Sequence, residues 1–200
     1  MTTKPFALSL LVAAAVGLPT AALAHAGHGE ASGFLSGLAH PVGGLDHVLA
    51  MVMVGVLAWQ LGGRALWMVP LAFVGVMAVG GALGFAGIGV PAVEVGIALS
   101  IVVLGAVVAL GARAPLAALM ALVGFFAIFH GYAHGAEMPE NAGGLAYGLG
   151  FLIATAALHL AGLGLGYALG RVGDRTNPIA VRAVGGLTAL AGLGIVTGLV

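Results

Sequence analysis

The chain has 200 residues, 62% of them apolar, with six basic, six acidic and no cysteine residues, a formal net charge of zero and a mean hydropathy of +1.20. Soluble domains carry about 25% charged residues, so a 6% charged chain is neither a soluble globular enzyme nor a disordered tail. Zero net charge excludes a nucleic-acid binder, and the lack of cysteine excludes disulfides and thiolate metal sites. What remains is an all-α integral membrane protein. Its seven histidines outnumber either charged class.

Residues 1–24 read as a cleavable signal peptide. Lys4 supplies the positive start, Phe6 to Leu18 the apolar run, and Ala22-Leu23-Ala24 the cleavage site. That run is too short to span a ~30 Å hydrocarbon core comfortably, although an uncleaved anchor is the other reading. Cleavage would leave His25-Ala26-Gly27-His28 at the mature start, on the exported side. Residues 25–44 then read as a periplasmic, histidine-containing arm and entrance turn. Pro41, Gly43 and Gly44 oppose a regular helix before residue 44, which puts His40 on a turn.

Residues 45–200 read as a six-helix transmembrane domain. Breaks at charge, Pro and Gly clusters predict spans near 45–62, 65–87, 91–111, 115–135, 143–170 and 179–199. With the first span entering from outside, Arg64, Arg113, Arg171, Arg175 and Arg182 all fall on the cytoplasmic side, as the positive-inside rule requires. Glu137 and Glu140 fall outside, and both mature termini are periplasmic. This is a multi-pass protein of the bacterial inner membrane, with the lipid bilayer as its first partner. Gly80-x3-Gly84, Gly144-x3-Gly148, Gly162-x3-Gly166-x3-Gly170 and Gly194-x3-Gly198 are packing seams, within one chain or between chains of a homo-oligomer.

Ionisable residues inside a membrane are costly and mark function by default. Asp46 and His47 open the first span, with Met51 one turn below His47. Glu94 lies near the outer end of the third. His130, His134 and Glu137 are spaced i, i+4, i+7 at the outer end of the fourth, one stripe on a helix. His159 lies near the middle of the fifth, one turn after Thr155. Structural readings exist for each: Asp46 as a helix-start acid, Glu94 as an interfacial acid, His130 and His134 as wet interfacial residues, His159 as a core histidine bonded to Thr155 or to a backbone carbonyl. Joint placement favours function, because His40, Asp46, His47, Glu94, His130, His134 and Glu137 all map to the outer half, with His159 beneath them. Imidazoles with carboxylates and no thiolate suit Ni, Co, Zn or Cu(II). Met51, Met53 and Met138 keep Cu(I) in view. No permanently bound cofactor is expected; the metal would be cargo.

At these residues the chain resembles the HupE/UreJ family of small membrane proteins. The matching pieces are His40-Pro41-x2-Gly44-x-Asp46-His47-x3-Met51, Phe129-His130-Gly131-Tyr132-Ala133-His134-Gly135-x-Glu137-x-Pro139 and Ala154-Thr155-Ala156-x2-His159-x2-Gly162. The resemblance covers the whole chain. It implies a permease for nickel, or cobalt in some members, serving hydrogenase or urease maturation. It further implies metal handling by His40, Asp46, His47, His130, His134 and Glu137. Secondary relay positions would be His159, Glu94, Met51, His25 and His28. Two rival functions follow from the same residues. One is a membrane-embedded zinc hydrolase, against which His130-Gly131-x2-His134 lacks the glutamate of H-E-x-x-H. The other is a sensor or metallochaperone subunit, against which no sizeable soluble domain is present.

Overall fold

The computed structural model describes residues 29–138, 143–171 and 179–199, with side chains from residue 33. These residues form seven α-helices and no strand: α1 Gly29–Gly43, α2 Leu45–Leu61, α3 Ala65–Phe85, α4 Val93–Leu110, α5 Leu116–Ala136, α6 Gly144–Leu169 and α7 Ile179–Val196. The signal-peptide segment and the mature start lie outside the described residues.

Helices α3 to α7 are each long and apolar enough to cross a membrane, and α1 with α2 makes a sixth crossing if that bent pair is one span. Large apolar side chains such as Leu71, Val79, Phe125, Ile153 and Leu190 are exposed on the outside of the bundle, as lipid-facing positions require. α2 touches α1, α3, α4, α6 and α7. It supplies Met51, Met53, Val54, Val56 and Leu57 to an apolar core completed by Phe73, Met77, Leu104, Val108 and Val123.

Residues 29–43 correct the sequence expectation of an arm and entrance turn. They form a helix, and His40 stands in its last turn. Pro41 removes one backbone donor, but two residues from a helix end this costs least. Tertiary packing then decides the outcome. Gly37 lies so close to α6 that a Cβ would overlap the Tyr147 carbonyl, and a Cβ on Gly150 would overlap the Phe34 carbonyl. The chain breaks only at Gly44, in extended conformation, where it turns by 84° into α2. The pairing of 37 with 147 and 34 with 150 makes α1 run against α6, rising toward the end where α2 starts.

Small residues set the remaining contacts. Gly80 and Gly84 of α3 lie against the backbone of Ile128, Tyr132 and Ala136, while Gly131 and Gly135 of α5 lie against Met77 and Gly81. α3 and α5 therefore run parallel with backbones in contact, gaining dispersion energy in place of a hydrophobic driving force. Gly162 meets Val52 and Gly55 of α2, and Gly166 and Gly170 receive the Trp59 ring. α4 and α7 meet antiparallel through Gly105 and Gly185. The expected seams at Gly80/Gly84 and Gly162/Gly166/Gly170 are thus used within the chain. Gly148 faces open space, and Gly198 lies beyond the end of α7 with positive φ.

At the end of the bundle opposite the histidines, Arg182 donates to the carbonyls of Ala109 (2.7 Å) and Leu110 (3.2 Å), and Gln60 donates to Val108 (3.1 Å). A cation at the C-terminus of α4 opposes the partial negative charge there. Arg171 stacks on and donates to Tyr167 at the last turn of α6.

Candidate metal site

α1, α2, α4 and α5 converge on one open cavity of about 520 Å³, lined by His40, Asp46, His47, Glu94, His134 and Glu137 among others, with no lysine or arginine. Three carboxyl groups in an opening without cationic counter-charge favour entry of a cation. Four imidazoles step inward from it. His40 and His134 have ring centroids 4.7 Å apart, His134 and His47 4.3 Å, and His47 and His130 4.8 Å. The cluster is built by helix geometry. His130 and His134 are one turn apart on α5, α1 delivers His40 from above, and the sharp break at Gly44 lets Asp46 and His47 turn inward.

At the mouth, His40 Nε2 lies 3.3 Å from Glu137 Oε2. One ligand atom each from His40, His134 and Glu137 lies within 4.8 Å of the others, a spacing that one ion could close. Deeper, His47 Nδ1 lies 2.9 Å from Asp46 Oδ1, which also accepts the His47 backbone N–H at 2.8 Å. An ionised carboxylate can only accept, so His47 Nδ1 carries the hydrogen and Nε2 a free lone pair. Carboxylate–imidazole pairs of this kind orient metal-ligating histidines.

Ser100 does the same for His130. Its hydroxyl donates to the Ile97 carbonyl at 2.6 Å and lies 2.9 Å from His130 Nε2. A hydroxyl has one hydrogen, so His130 Nε2–H must donate to Ser100 Oγ, leaving Nδ1 as a bare acceptor. His47 Nε2, His130 Nδ1 and both nitrogens of His134 are buried with no hydrogen-bond partner among the described residues. Buried polar atoms are normally paired, so these unpaired nitrogens are the donor atoms the cluster offers to a ligand.

The structure thus joins His40, Asp46, His47, His130, His134 and Glu137, with Glu94 on the cavity wall. Met51 is fully buried in the apolar core. His159 stands apart, buried, and shares the Phe73 ring as a neighbour with His130: Phe73 lies 5.7 Å from His130 and 5.2 Å from His159. Thr155 does not bond His159, as one sequence reading held; its hydroxyl donates to Met77 Sδ at 3.8 Å. His25 and His28 lie outside the described residues. Sequence reasoning offers Ser100 only to the hydrolase alternative and misses its contact with His130, and it misses Phe73 and Tyr147 (5.8 Å from His40). Ser100 had a signal, being the only serine after residue 36 and a lone hydroxyl in a hydrocarbon span. The two aromatics had none.

Residues 12–195 match the family described as HupE / UreJ protein. The chain is 48% identical to Protein HupE of Rhizobium leguminosarum bv. viciae over 185 residues, covering 92% of this chain and 95% of that relative. No solved structure matches.

Proposed function

The chain belongs to the HupE/UreJ family, and from that premise we propose that it imports a divalent transition-metal ion, nickel or cobalt, across the bacterial inner membrane through the histidine-lined cavity. The family is one of membrane permeases and accessory proteins, not of enzymes. One observation carries the reading to these residues. Imidazole nitrogens without hydrogen-bond partners line the interior of an acidic cavity. Nitrogen and carboxylate donors without thiolate suit nickel and cobalt, whereas magnesium and calcium call for oxygen alone.

In this reading Glu94, Glu137 and Asp46 draw the cation into the cavity. His40, Glu137 and His134 take it first, then His134, His47 and His130 pass it inward by exchange of one imidazole at a time. Asp46 and Ser100 hold His47 and His130 in the ligating tautomer. A divalent ion moving to an interior 100 mV negative gains about 4.6 kcal/mol, twice the ~2.3 of a single charge. At ~1.4 kcal/mol per decade this supports accumulation above ~1000-fold without ATP.

Nickel accumulation in cells expressing the wild type, Asp46→Ala or His130→Ala at matched membrane levels tests this. Both variants should fall to the background of cells lacking the protein. Wild-type accumulation in both would overturn the site.

A further inference from the structure

The route inward from His130 meets a second group of donor atoms that the outer cluster does not use. His159 is 1% exposed, and neither ring nitrogen has a hydrogen-bond partner among the described residues. It lies 15 residues into α6, about 22 Å along the helix. Thr155 stands one turn before it on the same face. Across the interface, Phe73 and Met77 of α3 are likewise one turn apart. The Phe73 ring meets His159 edge to face at 5.2 Å, and the Thr155 hydroxyl reaches Met77 Sδ at 3.8 Å. The two faces therefore meet residue for residue. A thioether–hydroxyl pair thus lies one helical turn from a buried imidazole, whose other neighbour is the Phe73 ring that also touches His130.

Packing fixes His159 in place. A Cβ on Gly55 of α2 would overlap the His159 carbonyl, so the backbone carrying the ring is held against α2. A core histidine kept only for packing would satisfy at least one ring nitrogen, because an unpaired donor or acceptor in hydrocarbon is costly. Here both are unpaired among the described residues, one helical turn along α6 from the hydroxyl that bonds the Met77 sulfur.

We propose that His159, Met77 and Thr155 form a second, deeper binding station for the transported ion, filled from His130 past the Phe73 ring. This rests on the reading of the outer cavity as the entry site. A nitrogen–sulfur–oxygen donor set selects borderline and soft divalent ions such as nickel, cobalt and copper over magnesium, calcium and manganese. Two weak stations in series also meet the requirement of conduction, that an ion bind well enough to enter and weakly enough to leave.

The test separates binding from flux in purified full-length protein, with Ni²⁺ as the probe. Equilibrium binding in detergent reads the outer site as the component that His134→Ala removes, and uptake into proteoliposomes reads passage. His159→Ala and Met77→Leu should each keep the wild-type affinity of the outer site, since distant sites act independently, and should each lose about tenfold or more of uptake, the lower end of what a metal site's supporting groups are worth. Nickel X-ray absorption supplies a readout that a packing role would not move. With the outer site disabled by His134→Ala, bound nickel should show a sulfur neighbour, which Met77→Leu removes. The chain has no cysteine, so that sulfur can come only from methionine. Wild-type uptake by His159→Ala or Met77→Leu, or a nickel shell in His134→Ala without sulfur, overturns the station. Should His159→Ala fail to fold, Met77→Leu, nearly conserved in volume, decides alone. Loss of nickel binding and uptake by the wild type itself would instead strike the outer-site reading.

Discussion

His47 and His130 each commit one ring nitrogen to a neighbour and keep the other bare. That division is made by Asp46 and by Ser100, and it turns two buried histidines into oriented donors. Ser100→Ala should therefore weaken nickel binding about 10–100-fold, the usual cost of losing a partner that orients a ligand, and, by leaving the buried His130 Nε2–H without its acceptor, lower stability by about 1–3 kcal/mol; isothermal titration and thermal unfolding in detergent on the same preparation check the two effects. Gly44 makes a separate demand. A Cβ there would fall 2.6 Å from Asp46 Oδ1 and 3.1 Å from His47 Nδ1, so Gly44→Ala should displace the Asp46–His47 pair and lower affinity by a similar ~10-fold or more, read in the same titration. The histidines and acids of the cavity were legible in the sequence, because ionisable residues among hydrocarbon stand out and helical spacing puts 130, 134 and 137 on one stripe. Phe73 and Tyr147 were not. An aromatic in an apolar helix looks the same whether it faces lipid, core or an imidazole.

At the scale of elements, the site depends on how closely α3 and α5 approach. Gly131 sits between His130 and His134 in sequence, and its missing side chain lets the Met77 backbone pass. Gly131→Ala should therefore destabilise the protein by about 1–3 kcal/mol, the range for overpacking, and weaken metal binding with it. Gly148→Ala, which places its methyl in open space, should leave both unchanged. Comparing unfolding midpoints and nickel affinities of the two variants tests whether the glycines act by packing. The apolar helices from residue 45 onward were readable from hydropathy to within a few residues at each end. α1 was not, since Pro41 and the glycines around it argue locally against a helix. What holds it is the contact of α1 with α6, made at Gly37 on the one and Gly150 on the other, and a contact between residues over a hundred positions apart leaves no local trace.

The whole molecule is polarised. Among the described residues the acids, and every imidazole but His159, gather where α2 begins and α5 ends, while Arg171, Arg182 and Gln60 stand at the opposite ends of α6, α4 and α2. The arginine pattern made this legible from sequence, because alternating helices sort every loop to one of two ends. The meeting of α1, α2, α4 and α5 at one cavity was not legible, for hydropathy carries no information on which spans are neighbours. In the proposed function this polarity would give transport a direction, with a cation entering at the acidic end and drawn on by an interior-negative potential. The most direct measurement is therefore nickel uptake by proteoliposomes of purified protein under an imposed diffusion potential. The account predicts wild-type accumulation that rises steeply as the interior becomes negative, toward ~1000-fold at about 100 mV, and its abolition in His134→Ala. Uptake indifferent to the potential, or equal in His134→Ala and wild type, would contradict it.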